Sequence, residues 1–118
     1  MNDNEIEKQL QSKGLTAPRI TPADIEDNIA NAYFFTARQG VNASGVDYVI
    51  SHENYQSLNL LTFCVLILKN GFIVTGESAC VSPENFDAEM GRKIARQNAV
   101  NKIWTLMGYA LKEKLSNQ

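Results

Sequence analysis

Residues 60–76 decide the fold, and they read LLTFCVLILKNGFIVTG. The nearly continuous apolar run at residues 60–68 predicts a strand, and a second run at residues 72–76 predicts another. Asn70-Gly71 stands between the two runs, where an Asn-Gly pair is the preferred two-residue hairpin turn. Because the first strand is apolar on both faces, we expect helices of this chain to cover one face and another chain to cover the other.

Helices are predicted on both sides of this hairpin. Thr21 is a suitable N-cap, a proline follows it at the first helical position, and apolar residues at i,i+4 spacing extend the helix over residues 22–38. Gly40 then stops it. After the hairpin, Ser82-Pro83 gives a second helix start, and residues 84–115 are predicted to form one long helix or a short turn followed by a helix.

The segments outside these elements are polar. Residues 1–20 are predicted to form an N-terminal arm with a short helix that ends at Gly14. Residues 40–58 are loop-like, and a short strand at residues 47–50 is the regular element that their pattern allows. Residues 21–118 are predicted to form a single domain.

The predicted fold class is α+β, an antiparallel β-hairpin flanked by an N-terminal helix and a long C-terminal helix. A sheet of two strands is only marginally stable in water. We therefore expect oligomerisation to complete the fold.

The composition argues against several classes of protein. The chain has 118 residues, with 11 Lys and Arg against 13 Asp and Glu, which gives a net charge of −2. No apolar run approaches the roughly 20 residues of a membrane span, and the polar, acidic N-terminus is unlike a secretory signal. Two cysteines without such a signal favour reduced thiols in a cytoplasm. Binding to long nucleic acid needs a basic surface, which this charge does not provide.

The residues do not predict a catalytic centre. His52 is the only histidine and stands in a polar segment without an orienting partner. Cys64 lies in an apolar strand and is interpreted as a packing residue. Cys80 precedes a helix start, where a thiolate could be stabilised, but an inert thiol is the favoured interpretation. We expect no enzymatic activity, no metal site and no cofactor.

Binding of an anion is better supported. The predicted helix start at Ser82–Asn85 offers free backbone N–H groups, and Arg92 and Arg96 follow on one helical face at i,i+4. A different face combines small, amide and cationic residues that leave room for a ligand: Gly91, Ala95, Asn98 and Lys102. The alternative is that the small residues serve close packing between elements and that the arginines lie on a solvated face.

Six segments carry a resemblance to a known family: LTAPRITPADI at 15–25, KNGFIVTGESACV at 69–81, NFD at 85–87, GRKIA at 91–95, KIW at 102–104 and GYAL at 108–111. Together they span most of residues 15–115. They resemble a family of small phage-encoded proteins whose characterised members are Thoeris anti-defence proteins of the first type.

The resemblance implies a sponge, a protein that binds and sequesters a signal without cleaving it. The implied ligands are cyclic ADP-ribose isomers (glycocyclic ADP-ribose) made by bacterial TIR-domain enzymes, in the cytoplasm of the infected host. Some members also bind cyclic di- or trinucleotides of the CBASS defence at a separate site. The implied assemblies are dimers, and hexamers built from dimers, with ligand pockets at subunit interfaces.

Residues can be assigned to these sites on the matching segments. The signal is expected to contact Asn85, Asn98 and Lys102, with Phe72 or Thr75 on its base or ribose. The candidates for phosphate contacts are Arg92 and Arg96. The candidate for the second, oligonucleotide site is Arg19.

Two other functions remain alternatives. One is a phage interaction or structural protein without a small-molecule ligand. The other is an enzyme that degrades the same signal.

Overall fold

The computed structural model describes residues 2–15 and 17–118; Met1 and Thr16, the latter within the 15–25 segment, lie outside the described residues. Its elements, in chain order, are α1 (Asp3–Ser12), α2 (Pro22–Asn28), β1 (Ile29–Thr36), α3 (Ala37–Ala43), α4 (His52–Leu58), β2 (Leu61–Leu68), β3 (Ile73–Ala79), a 3₁₀ turn (Pro83–Asn85) and α5 (Ala88–Ser116). The predicted α+β class is confirmed, with a long C-terminal helix against an antiparallel sheet.

The sheet has three strands in the order β1-β2-β3, all antiparallel. Its central strand is β2, in which every second side chain is buried. Those buried side chains meet α5, which lies across β2 and β3. The core on this side consists of Ile25, Cys64, Leu66, Leu68, Val74, Ala95, Ala99, Val100 and Ile103.

The prediction of a helix over residues 22–38 is wrong beyond Asn28. Residues 29–36 form strand β1, which pairs with β2 in a register that sets Tyr33 opposite Val65. Aromatic residues favour strands, and the free edge of β2 gives them a partner, so pairing across the sheet overrides the i,i+4 pattern. The sheet therefore has one strand more than the predicted hairpin.

The hairpin between β2 and β3 is confirmed, but its loop is longer than the predicted two residues. The Leu68 N–H bonds the Phe72 carbonyl at 2.8 Å, and the Gly71 N–H bonds the Leu68 carbonyl at 2.9 Å. Gly71 has φ +88°, in the left-handed region that favours glycine. These hydrogen bonds define a three-residue loop, residues 69–71, in which a turn is followed by a left-handed glycine.

Residues 40–58 contain more helix than predicted, and residues 47–50 form no strand. The side chain of Thr36 accepts a hydrogen bond from the Gln39 N–H and so caps α3. Ser51 caps α4 in the same way, through the Asn54 N–H. Side-chain caps of this kind start a helix even in a segment without strong apolar periodicity.

The C-terminal helix follows the predicted alternative of a short turn and then a helix. Ser82 leads only into one 3₁₀ turn and makes no side-chain cap. Asp87 is the cap of α5, because its side chain accepts from the Met90 N–H at 3.1 Å. The long helix therefore begins at Ala88, and the helix start predicted at Ser82–Asn85 as an anion-binding site is wrong.

The N-terminal arm folds back onto the domain. Asp3 accepts a hydrogen bond from the indole Nε1 of Trp104 at 3.1 Å. Glu7 is paired with Arg19, which also donates its Nε–H to the Leu15 carbonyl at 3.0 Å. Contacts at the start and in the middle of α1 therefore hold it against α5 and α2.

The outer face of the sheet, on the side away from α5, is largely open to solvent. We call it the open face and define it by Tyr33, Val65, Ile67, Ile73 and Thr75, which alternate with the buried residues. Tyr33 and Ile73 are 54% and 55% exposed. The Cα radius of gyration is 18.2 Å, whereas a compact domain of about 100 residues has about 13 Å. The chain is thus thin and elongated, and within its described residues the open face is not covered by another element.

Candidate functional site

Three of the predicted binding residues lie together at the β3 edge of the sheet. Phe72, Thr75 and Lys102 line one groove of about 460 Å³ between β3 and the middle of α5. Ile73 and Leu106 contribute apolar walls. We call this cavity the hairpin groove and define it by these five residues.

The hairpin groove combines three kinds of binding group. The ring of Phe72 can pack against a base, and the hydroxyl of Thr75 can bond a ribose. Lys102 is exposed and makes no ion pair in the part of the chain that the structure describes, so its ammonium group is available to an anion. A compact ammonium charge suits phosphate without imposing the fork geometry of an arginine.

Asn98 stands one turn before Lys102 on α5 and ties the helix to the sheet. Its Nδ2–H donates to the Glu77 carbonyl at 2.8 Å. One of its donors is therefore used in the fold, while its carbonyl oxygen keeps acceptor capacity. Asn98 positions α5 beside the hairpin groove.

The small residues of the same helical face serve close packing, which is the alternative stated from the sequence. Ala95 is buried beneath Gly76, and Gly91 lies over Thr62. The space beside these small residues is filled by β2 and β3. The room for a ligand is instead further along the helix, at Lys102.

Arg96 is paired within the chain. Its guanidinium donates two hydrogen bonds to the Glu26 carboxylate, at 3.0 and 2.8 Å. This pairing lowers the pKa of Glu26 and raises the pKa of Arg96. A phosphate group would have to displace Glu26 to reach Arg96.

Arg92 and Asn85 line two adjoining cavities that are separate from the hairpin groove. Asn85 lies in a largely apolar cleft of about 310 Å³. Arg92 lies at a pocket of about 380 Å³, which we call the Arg92 pocket. Thr62 and Phe86 line both cavities and form the wall between them. The structure does not bring Asn85 or Arg92 to Lys102.

Arg19 secures the arm. Its pairing with Glu7 lowers the pKa of that carboxyl group, chiefly through the hydrogen bond between the two side chains. The guanidinium is only partly exposed. Any anion that binds Arg19 has to compete with Glu7.

Within the described residues, Cys64, Cys80 and His52 share no hydrogen bond with one another. Cys64 is fully buried, and burial raises the pKa of its thiol, which favours the neutral form. Cys80 donates its S–H to the Ser82 carbonyl at 3.2 Å. His52 is exposed, and its ring Nε2 lies 3.2 Å from the Gln56 amide nitrogen. Over residues 2–15 and 17–118, no group of three or more His, Cys, Asp or Glu could hold a metal ion.

Sequence reasoning missed Glu26 and the aromatic wall of the Arg92 pocket. Glu26 meets Arg96 across 70 positions of the chain, so no local spacing signals the pair. Phe34 was assigned to a helix, and its place beside Phe86 depends on the strand that residues 29–36 form. In both cases the missing information is the position of one element against another.

Comparison with known proteins gives one match. The model of the phage protein (N4 Gp49/phage Sf6 gene 66) family matches residues 20–115. The match spans the sheet, all of α5 except Ser116, and each residue of the hairpin groove. Searches of curated proteins and of solved structures found no match. No helix in the described part of the chain is long and apolar enough to cross a membrane.

Proposed function

Because the chain belongs to the phage protein (N4 Gp49/phage Sf6 gene 66) family, we propose that it acts in the cytoplasm of an infected bacterium as a sponge for a nucleotide signal. The proposed ligand is a cyclic ADP-ribose isomer such as glycocyclic ADP-ribose, which the protein sequesters without cleaving it. The resemblance of segments such as residues 69–81 to Thoeris anti-defence proteins of the first type supports this ligand.

The hairpin groove is the observation that carries the proposal. It presents a ring at Phe72, a hydroxyl at Thr75 and an unpaired cation at Lys102 within one cavity of the described chain. A cyclic ADP-ribose isomer contains a base, riboses and a diphosphate, so each group of the groove has a counterpart in the ligand. The negative diphosphate is the part that Lys102 attracts.

The proposal includes a homo-oligomer, either a dimer or a hexamer built from dimers. Ile73 and Thr75 belong to the open face as well as to the hairpin groove, because both stand on the β3 edge of the sheet. A second copy packed on the open face would therefore reach the rim of the groove and close it over the ligand. Such an enclosure favours tight binding, since preformed walls reduce the ordering cost of association.

A second ligand class belongs to the same proposal. Cyclic di- or trinucleotides would bind at Arg19, whose guanidinium would exchange Glu7 for a phosphate. The arm would then have to loosen from α5 when the oligonucleotide binds. Arg19→Gln should therefore weaken cyclic trinucleotide binding and leave the binding of glycocyclic ADP-ribose unchanged.

The proposed function is tested by titrating the purified protein with glycocyclic ADP-ribose in a calorimeter. The complex is then denatured by heat, and the released molecule is identified by mass spectrometry. We expect saturable binding and release of the intact ligand. Lys102→Glu should abolish binding with an unchanged circular dichroism spectrum, because it replaces attraction of the diphosphate by repulsion. Lys112→Glu is the matched control, since Lys112 is exposed further along the same helix.

Two outcomes would replace the proposal. Conversion of ligand to a linear product by a substoichiometric amount of protein would identify an enzyme. A flat calorimetric trace with every cyclic ADP-ribose isomer would favour a phage interaction or structural protein.

A further inference from the structure

The Arg92 pocket is a second cavity, at the end of the sheet opposite the β2–β3 turn. It encloses about 380 Å³ between the end of β1, the start of α3 and the first turns of α5. The residues that matter for its chemistry are Phe34, Gln39, Thr62, Phe86 and Arg92. None of them lines the hairpin groove, so conclusions about this pocket do not depend on the proposed function.

Phenylalanine rings from two different parts of the chain line this pocket. Phe34 comes from β1 and is 36% exposed, and Phe86 stands half-buried just before α5. Phenylalanine rings that remain partly open beside a cavity offer a surface on which a flat ring can stack. Stacking of a base on an aromatic side chain contributes about 1–3 kcal/mol per base in nucleic-acid binding proteins.

Two polar side chains supply donors without partners. The Oε1 of Gln39 accepts from the Thr36 N–H at 2.9 Å, which fixes the amide and leaves its Nε2 protons free of hydrogen bonds in the described part of the chain. Arg92 is exposed and, over the same described residues, forms no ion pair. An amide recognises the edge of an adenine base, and a guanidinium recognises a phosphate.

Thr62 contributes a hydroxyl to the lining of this pocket. The residue is 2% exposed. What remains of its surface faces the cavities that it lines. A hydroxyl both donates and accepts hydrogen bonds, so a polar group of a ligand in the pocket can bond it.

We propose that the Arg92 pocket binds a purine nucleoside monophosphate. The base stacks against Phe34 and Phe86, and the Gln39 amide donates to its edge. The phosphate bonds the guanidinium of Arg92, and the hydroxyl of Thr62 bonds a polar atom of the nucleotide within the pocket. The terminal phosphate distinguishes this ligand from a cyclic ADP-ribose isomer, whose phosphates lie within a ring.

The test is a titration of the isotope-labelled protein with AMP, adenosine and ribose 5-phosphate at millimolar concentration, followed by NMR. We expect AMP to shift the resonances of Phe34, Phe86 and Arg92. Adenosine and ribose 5-phosphate should each bind about tenfold or more weakly, because each lacks one of the recognised groups. The AMP-induced shifts of Phe34, Phe86 and Arg92 should persist in Lys102→Glu, which separates this pocket from the hairpin groove.

Three variants locate the ligand. Arg92→Gln should weaken AMP binding by about tenfold or more, and Thr62→Val, which keeps the shape of the side chain, by several-fold. Lys93→Gln is the matched control, because Lys93 is the next residue and does not line the pocket. Absence of AMP-induced shifts, equal binding of adenosine, or unchanged affinity in Arg92→Gln would each overturn the assignment.

Discussion

Gly76 of β3 lies directly against Ala95 of α5. A Cβ at Gly76 would stand 2.2 Å from the Ala95 carbonyl oxygen and 2.4 Å from the Ala99 backbone nitrogen. Helix and strand therefore meet backbone to backbone at this point, and only a residue without a side chain fits between them. This contact sets the height of α5 over the sheet and, with it, the width of the hairpin groove.

Gly76→Ala should consequently destabilise the protein. The added methyl group meets backbone atoms that cannot rotate away, so we expect a loss of about 3 kcal/mol in the free energy of unfolding. Urea denaturation followed by circular dichroism measures the change. Gly108→Ala is the matched control, because nothing lies within 4 Å of a Cβ at that helical position. It should stabilise the protein by about 0.5–1 kcal/mol, and an equal effect of the two substitutions would contradict the close contact.

The Glu26–Arg96 pair should make stability depend on pH. The hydrogen bonds from Arg96 lower the pKa of Glu26 below its ordinary value of 4.5, so the unfolded chain takes up the proton first as the pH falls. The contribution of the pair is present above pH 4.5 and decreases as the pH falls through the lower, folded pKa.

This dependence is measurable in a double-mutant cycle. With Glu26→Gln, Arg96→Gln and the double variant, we expect a coupling free energy of no more than about 1 kcal/mol at pH 7, because both side chains are partly solvated. The coupling should approach zero in strong acid. A coupling energy that is the same at neutral and strongly acidic pH would show that the ion pair is not its source.

Docking of the arm should be visible in tryptophan fluorescence. Trp104 is the only tryptophan, and its indole donates to Asp3 of α1. Arg19→Gln removes the pairing with Glu7 that holds this helix, so Trp104 should become more exposed and its emission should shift to longer wavelength. Lys8→Gln is the control on the same arm, and an equal shift in both variants would argue against the Arg19–Glu7 contact.

Acid should have the same effect on the arm as Arg19→Gln. The pKa of Glu7 is lowered from 4.5 by Arg19, so the pairing persists above that pH and is lost as the pH falls through the lower value. A red shift of the emission at acidic pH, absent from the Arg19→Gln variant, is the expected result. An acid-induced shift of equal size in the variant would point to another titrating group.

The open face is expected to be the interface between subunits. Tyr33 stands on it and is 54% exposed, so Tyr33→Lys should leave the subunit folded and disrupt association by placing a charge in an apolar interface. Sedimentation velocity measures the assembly. Tyr109→Lys, at an exposed tyrosine on α5, is the control and should leave the assembly intact. An unchanged assembly in Tyr33→Lys would locate the interface elsewhere.

Much of the fold could be predicted from local patterns. The apolar runs at residues 60–68 and 72–76 became β2 and β3, and the glycine in their loop took the left-handed conformation that turns require. The prediction of a helix at residues 29–36 is wrong for a physical reason. Apolar residues at i,i+4 lie on one face of a helix and also on one face of a strand. Pairing with the edge of β2 decided between them, and this edge cannot be seen in the local sequence.

The candidate site was less predictable than the fold. Phe72, Thr75 and Lys102 came from segments about 30 positions apart and do share a groove. Arg96 and Arg19, assigned to ligands, are instead bonded to Glu26 and Glu7. A sequence shows which side chains carry charge, but the partner of each charge depends on which elements pack together.

The sequence by itself determined that this chain forms a hairpin and a long helix, because strand runs, turn glycines and helix caps act over a few neighbouring residues. The tertiary structure alone decided which residues remain available for binding. The packing of α5 on Gly76 places Lys102 beside β3, and α2 brings Glu26 to Arg96. The pairing of β1 with β2 builds a sheet whose outer face carries exposed apolar side chains in the described part of the chain. These are contacts between residues distant in the chain, and their energies exist only once the elements have assembled.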